Sequence, residues 1–158
     1  NYRFWMGYTL NNVDFIFEDL QDQSFSGNND IPNSFRISNS LNIKNLKLSV
    51  GWQYRTGSPY TPIKNYDEAT RIVSFESLNS GRLPNFHRLD ASVIYNFDVN
   101  PKSTKIQLGL SALNIYARIV PLAVIHRTSQ QNGALLLEQV IQRKSLGFTP
   151  NLTLRLFF

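Results

Sequence analysis

His87-Arg88-Leu89-Asp90 is the one short stretch in which a base and an acid stand close together, and the chain has only two histidines, His87 and His126. A His–Asp pair could do general acid–base work if the two side chains converged. On an extended strand they do not, because residues three apart point to opposite faces. Arg88 and Asp90 do share a face, which suits an ion pair or a polar network. His126 falls in a long connection with no ligand partners around it. Cysteine is absent, which excludes a disulfide framework and a thiolate metal site. There is no Gly-rich phosphate loop, nucleophile elbow or metal-ligand spacing. No catalytic residue, cofactor or metal is therefore expected, and the chain does not read as an enzyme.

A second group is built for binding. Tyr60, Tyr66, Arg71, Phe75 and Phe86 lie in or beside the connection 58–85. Aromatic rings beside charges suit a sugar or a peptide, and they suit packing within a loop equally well. Tyr60, Tyr66, Arg71 and Phe75 are kept as candidate ligand contacts.

The elements that must carry these residues are strands. Alternation of apolar and polar residues recurs in segments of ~10 residues. Tyr2, Phe4, Met6, Tyr8 and Leu10 share a face within 2–11, with Arg3, Trp5, Gly7 and Thr9 opposite. Phe35, Ile37, Leu41 and Ile43 oppose Arg36, Ser38 and Ser40 within 34–44. Leu46, Leu48, Val50, Trp52 and Tyr54 oppose Lys47, Ser49, Gly51, Gln53 and Arg55 within 46–57. Leu89, Ala91, Val93, Tyr95 and Phe97 oppose Arg88, Asp90 and Ser92 within 86–97. Ile106, Leu108, Leu110 and Ala112 oppose Lys105, Gln107 and Gly109 within 104–116. A sixth strand is expected from near Gln139 to Phe158, with Leu152, Leu154, Leu156 and Phe158 on the apolar side and Arg155 on the other. Six of the seven prolines, all but Pro150, fall in connections.

The apolar face could be buried in a soluble sandwich or turned to lipid in a barrel. Three features favour lipid. Long connections (12–33, 58–85, 117–138) alternate with a tight turn at Lys44-Asn45 and a short one at Asp98–Ser103, as outer-membrane barrels require. Trp52 with Tyr54, and Tyr95 with Phe97, place aromatic rings at opposite ends of the apolar face, as headgroup-level girdles do. The apolar face is almost free of charge, and the 16 Lys and Arg are scattered. That scatter argues against nucleic acid and for a wet or polar-cavity surface. Arg55, Gln53, Arg88, Asp90 and Arg155 are then expected to face the lumen.

Six strands cannot stand alone in a bilayer, since the smallest single-chain bacterial barrels have about eight and lipid tolerates no open edge. NYRFWMGYTL reads as the middle of a strand, so earlier strands are expected upstream.

Four stretches then resemble the C-terminal barrel region of TonB-dependent outer-membrane receptors: WQYRTGSPYTP (52–62), GRLPNFHRLDASVIYNF (81–97), LSALNIYAR (110–118) and SLGFTPNLTLRLFF (145–158). The resemblance covers essentially all of 1–158, although 1–44 match by pattern more than by motif. After Tyr116 the chain departs from the family's usual Asn-Arg-Asn-Pro, reading Ala117-Arg118-Ile119-Val120-Pro121. The resemblance implies six strands of a barrel of about 22, filled by an N-terminal plug that lies outside this sequence. It implies TonB-driven import of a scarce nutrient such as an iron chelate, cobalamin, glycan or peptide. The implied partners are outer-membrane lipid, the TonB complex through the missing N-terminal part, the barrel-assembly machinery and a surface lipoprotein lid. By the same resemblance Phe158, with Leu156 and Leu154, is the signal that the assembly machinery reads. Two other readings fit the alternation: a porin-like or structural barrel without TonB coupling, and a soluble all-β binding module.

Overall fold

The computed structural model describes residues 1–18, 23–67, 69–70, 72–100, 104–131 and 134–157. Its main element is one six-stranded antiparallel sheet. The strands are β1 (Tyr2–Leu10), β4 (Asn33–Ile43), β5 (Leu46–Arg55), β10 (Phe86–Asn100), β11 (Thr104–Leu113) and β14 (Thr149–Phe157). They stand side by side in chain order, each neighbour antiparallel. The sheet is open: β1 pairs only with β4, and β14 only with β11. No closed barrel is formed by these strands, and no helix among the described residues is long and apolar enough to cross a membrane.

The register keeps like with like across every seam. Ile37 faces Trp52, which faces Leu89. Leu41, Leu48, Val93, Leu110 and Leu152 follow one another across five strands. A slip of one residue on any strand would invert its faces, so the apolar pattern itself fixes the pairing. The resulting apolar face is uncovered. Leu152 is 70% exposed and Leu154 62%, and only Leu83 and Val120 are buried apolar residues among those described. Asn39 is a polar residue on this face, and the Tyr2 hydroxyl donates to its side-chain oxygen.

Two expectations are corrected. The last strand does not begin near Gln139. Pro121–Gln131 (β12) and Ala134–Lys144 (β13) pair as a separate hairpin, and β14 starts at Thr149. A run such as Pro121–Ile125 lacks strict alternation, and Val140 and Ile141 then read as the start of the next strand. The third long connection is therefore 114–148 rather than 117–138. The other long connections also carry strands: Asp14–Ile16 (β2) with Ser24–Ser26 (β3), Pro59–Tyr60 (β6) with Gly81–Arg82 (β9), and Ile63–Asp67 (β7) with Ile72–Phe75 (β8). Pro150 sits inside β14 opposite Ala112. An edge strand accommodates it because one of its sides has no ladder to supply.

The long connections all rise from one end of the sheet. The tight turn Lys44-Asn45 and the facing ends of β10 and β11, at Asn100 and Thr104, lie at the other. Lys44 takes a φ of 48° at the tight turn. Rings gather at both ends of the apolar face. Phe35 and Trp52 are 5.8 Å apart, Trp52 and Tyr54 6.2 Å, and His87 and Tyr116 5.4 Å at the loop end. Tyr95 and Phe97 meet edge to face at 4.5 Å at the turn end. At ~3.3 Å per residue, the run from His87 to Phe97 spans roughly 33 Å. A strand tilt of ~40° would make that about 25 Å tall, the height of an outer-membrane apolar band.

Candidate functional site

Three junctions tie the loops to the top of the sheet. In the first, Asp90 reaches from β10 to the end of β11, where its Oδ1 accepts from the Asn114 backbone N–H at 2.9 Å. Asn114 is 1% exposed and holds a φ of 53°, a left-handed conformation that asparagine tolerates better than most residues. Its Nδ2 donates to the Arg118 carbonyl at 2.9 Å and to the Leu146 carbonyl at 2.7 Å. One side chain thus pins both the exit of the last long loop and its return. Beside it, His87 Nδ1 and the Tyr116 hydroxyl share a hydrogen bond of 2.7 Å on the apolar face. His87 and Asp90 therefore serve opposite faces and do not converge.

In the second junction, Gly57 lies under the Leu83 backbone. A Cβ at Gly57 would come within 1.6 Å of the Leu83 carbonyl oxygen, so only glycine permits this approach. Gly57 N donates to Asn85 Oδ1 at 3.2 Å, and Leu83 N to the Ser58 carbonyl at 3.0 Å.

In the third, Arg82 clamps the first long loop to the second. Its Nη2 pairs with Asp30 Oδ2, while Nη1 donates to the carbonyls of Asp30 at 2.9 Å and Gly57 at 3.1 Å. Asp30 is 1% exposed. The Arg82 hydrogen bond, helped by the Val13 N–H, holds its carboxyl below the usual range against the cost of burial. Asn79 adds bonds to the Ser26 carbonyl at 2.7 Å and Asn28 Oδ1 at 2.9 Å.

Above these junctions, the second loop and the β12–β13 hairpin enclose a cleft of 560 Å³. Tyr60 and Phe75, both candidate ligand contacts, line it together with Asn28, Asn79 and His126. Phe75 and His126 meet at 5.2 Å. Sequence reasoning set His126 aside, and its approach to Phe75 could not be read from residues 51 positions apart. Tyr66 is on β7 opposite Val73 and is not among the residues lining the cleft. Arg71 lies outside the described residues, as does Phe158.

Arg55, Gln53, Arg88, Asp90 and Arg155 all fall on the polar face of the sheet. Arg88 Nε and Nη2 donate to Asp90 Oδ2 at 3.0 and 2.9 Å. With its amide oxygen turned to the guanidinium, Gln53 accepts from the same two nitrogens at 3.1 Å. Arg155 donates to Gln107 at 3.4 Å, and Gln107 to Asn96 at 2.9 Å. Arg55 lies over the Phe86 ring at 5.3 Å. Among the described residues, no cluster of His, Asp and Glu has the makings of a metal site.

The fold and its surfaces define an all-β protein whose main sheet has one apolar face and one charged, hydrogen-bonded face. Compared with protein families, curated proteins and solved structures, the chain finds no match.

Proposed function

We propose that this chain is part of the wall of a TonB-dependent outer-membrane receptor and serves nutrient uptake. The observation that carries the reading is the continuous, exposed apolar face spanning all six strands, with aromatic rings at both ends. In water such a face would be a severe aggregation liability. In a bilayer it is the lipid-facing wall, and the polar face lines the lumen. The open edges of β1 and β14 then pair with further strands, because an unpaired ladder in lipid costs several kcal/mol per group.

In this reading the loop end is extracellular and the tied loops present the 560 Å³ cleft to incoming ligand. The plug and the TonB-contacting segment belong to a longer polypeptide, and a surface lipoprotein could cap the loops. Phe158, Leu156 and Leu154 carry the assembly signal. The deciding experiment is the intact mass of the native polypeptide extracted from its source membrane, with crosslinking to TonB. A mass several times 18.2 kDa and a TonB adduct are expected. Recovery near 18.2 kDa in the aqueous fraction would overturn the reading.

A further inference from the structure

Trp5 is the large aromatic residue that breaks the polar pattern of β1. It pairs across from Ser38 on the polar face. Its indole lies along the strand over Gly7, so close that a Cβ there would meet the ring at 3.0 Å. Gly7 in turn faces Arg36. Arg36 pairs with Gln53 and Ser34 with Arg55, which sets Arg36 and Arg55 as diagonal neighbours ~7–8 Å apart at the backbone. Trp5, Gly7, Ser34, Arg36 and Arg55, with Asn11 and Asn29 at the base of the first loop, line a concavity of 530 Å³.

Its charge is one-sided. No acidic residue lines it. Asp30, next in sequence to Asn29, is matched to Arg82, and Asp90 on the same polar face is matched to Arg88. Among the described residues the Arg36 guanidinium has no hydrogen-bond or ion-pair partner, and that of Arg55 has only the Phe86 ring. Arg36 and Arg55 both line this space, and an oxyanion between two guanidiniums lowers their mutual repulsion while accepting charge-assisted hydrogen bonds from both. The exposed indole offers a flat apolar floor beside them.

We propose that this concavity is a binding site for an oxyanion (carboxylate, sulfate or phosphate) carried on a ring. The two arginines hold the anion, Trp5 stacks on the ring, and Asn11 and Asn29 bond its polar substituents. The site lies on the polar face below the loops, where a ligand entering the lumen would arrive. It rests on the reading that this face is wet.

The test uses the full chain in detergent and galacturonate as probe, followed by saturation-transfer NMR, with galactose as the uncharged counterpart. Galacturonate binds saturably, inorganic phosphate competes, and galactose binds at least tenfold more weakly. R36Q combined with R55Q weakens galacturonate by roughly tenfold or more, Trp5→Ala weakens it, and Arg3→Gln, at the far end of the same face, leaves it unchanged. Galacturonate binding no tighter than galactose, or unaffected by the double substitution, would overturn the site. A water-soluble thiol reagent on Ser38→Cys separates the two readings. Modification without galacturonate binding removes this site alone. Protection from that reagent, with modification by a lipid-soluble one, removes the wet face as well.

Discussion

Asp90 accepts a hydrogen bond from the backbone of Asn114 at 2.9 Å while its other oxygen takes the Arg88 guanidinium. Asp90 lies within β10, and Asn114 directly follows the end of β11. Asp90 thereby joins the polar face of the sheet to the base of the last long loop, and Asn114 passes the connection on to Arg118 and Leu146.

Asn114→Ala removes two hydrogen bonds from a buried junction, the one to the Leu146 carbonyl and the one to the Arg118 carbonyl, which keeps only Ser145 Oγ at 3.4 Å. It is expected to cost about 2–4 kcal/mol in denaturant unfolding of the detergent-solubilised full chain. Asn114→Gly loses the same donors but relieves the left-handed backbone, so it should be milder than alanine by roughly 0.5–1 kcal/mol. Equal stability of alanine variant and parent would show that the side-chain bonds are not needed.

Gly57→Ala cannot be accommodated without moving the Leu83 backbone, because the added carbon would sit 1.6 Å from its carbonyl oxygen. The expected outcome is a loosened second loop, cut at least several-fold faster by protease within 58–85, with the sheet intact. Unchanged cleavage would mean that this approach is absent in the assembled protein.

The Asp30–Arg82 clamp makes the first two loops acid-sensitive. The Asp30 carboxyl is held below the ordinary aspartate range, chiefly by the Arg82 hydrogen bond. A depressed pKa contributes stability above the unfolded value, and that stability is lost as pH falls through the folded value. Pepsin cleavage within 12–33 should therefore rise as pH drops from about 4 toward about 2, beyond pepsin's own pH response on a denatured control. Asp30→Asn should flatten this dependence; a slope identical to that of the parent would assign the acid effect elsewhere.

Leu154 and Thr153 are adjacent in β14 and face opposite sides, Leu154 beside Leu108 and Thr153 beside Gly109. Leu154→Arg should cost ~2–4 kcal/mol near the bilayer midplane and sharply reduce assembled protein in the outer membrane. Thr153→Arg should be tolerated. Similar losses for both would remove the assignment of faces.

The strands and their two faces were legible in the sequence because alternation is a local property. Leu46 to Tyr54, or Leu152 to Leu156, need no partner to declare their period. The hairpin β12–β13 was not legible. Its residues lack that period, and the apolar positions near Val140 were absorbed into the following strand.

What the sequence by itself determined is the division of this chain into an apolar and a polar face, set residue by residue along each strand. What only the tertiary structure decided is which distant residues meet: Asp30 with Arg82, Gly57 with Leu83, Asp90 with Asn114, and Phe75 with His126. Those meetings depend on loop closure over tens of residues. No local pattern encodes which long loop will fold against which, because such contacts form only after the register of the sheet has brought the loop bases to one end.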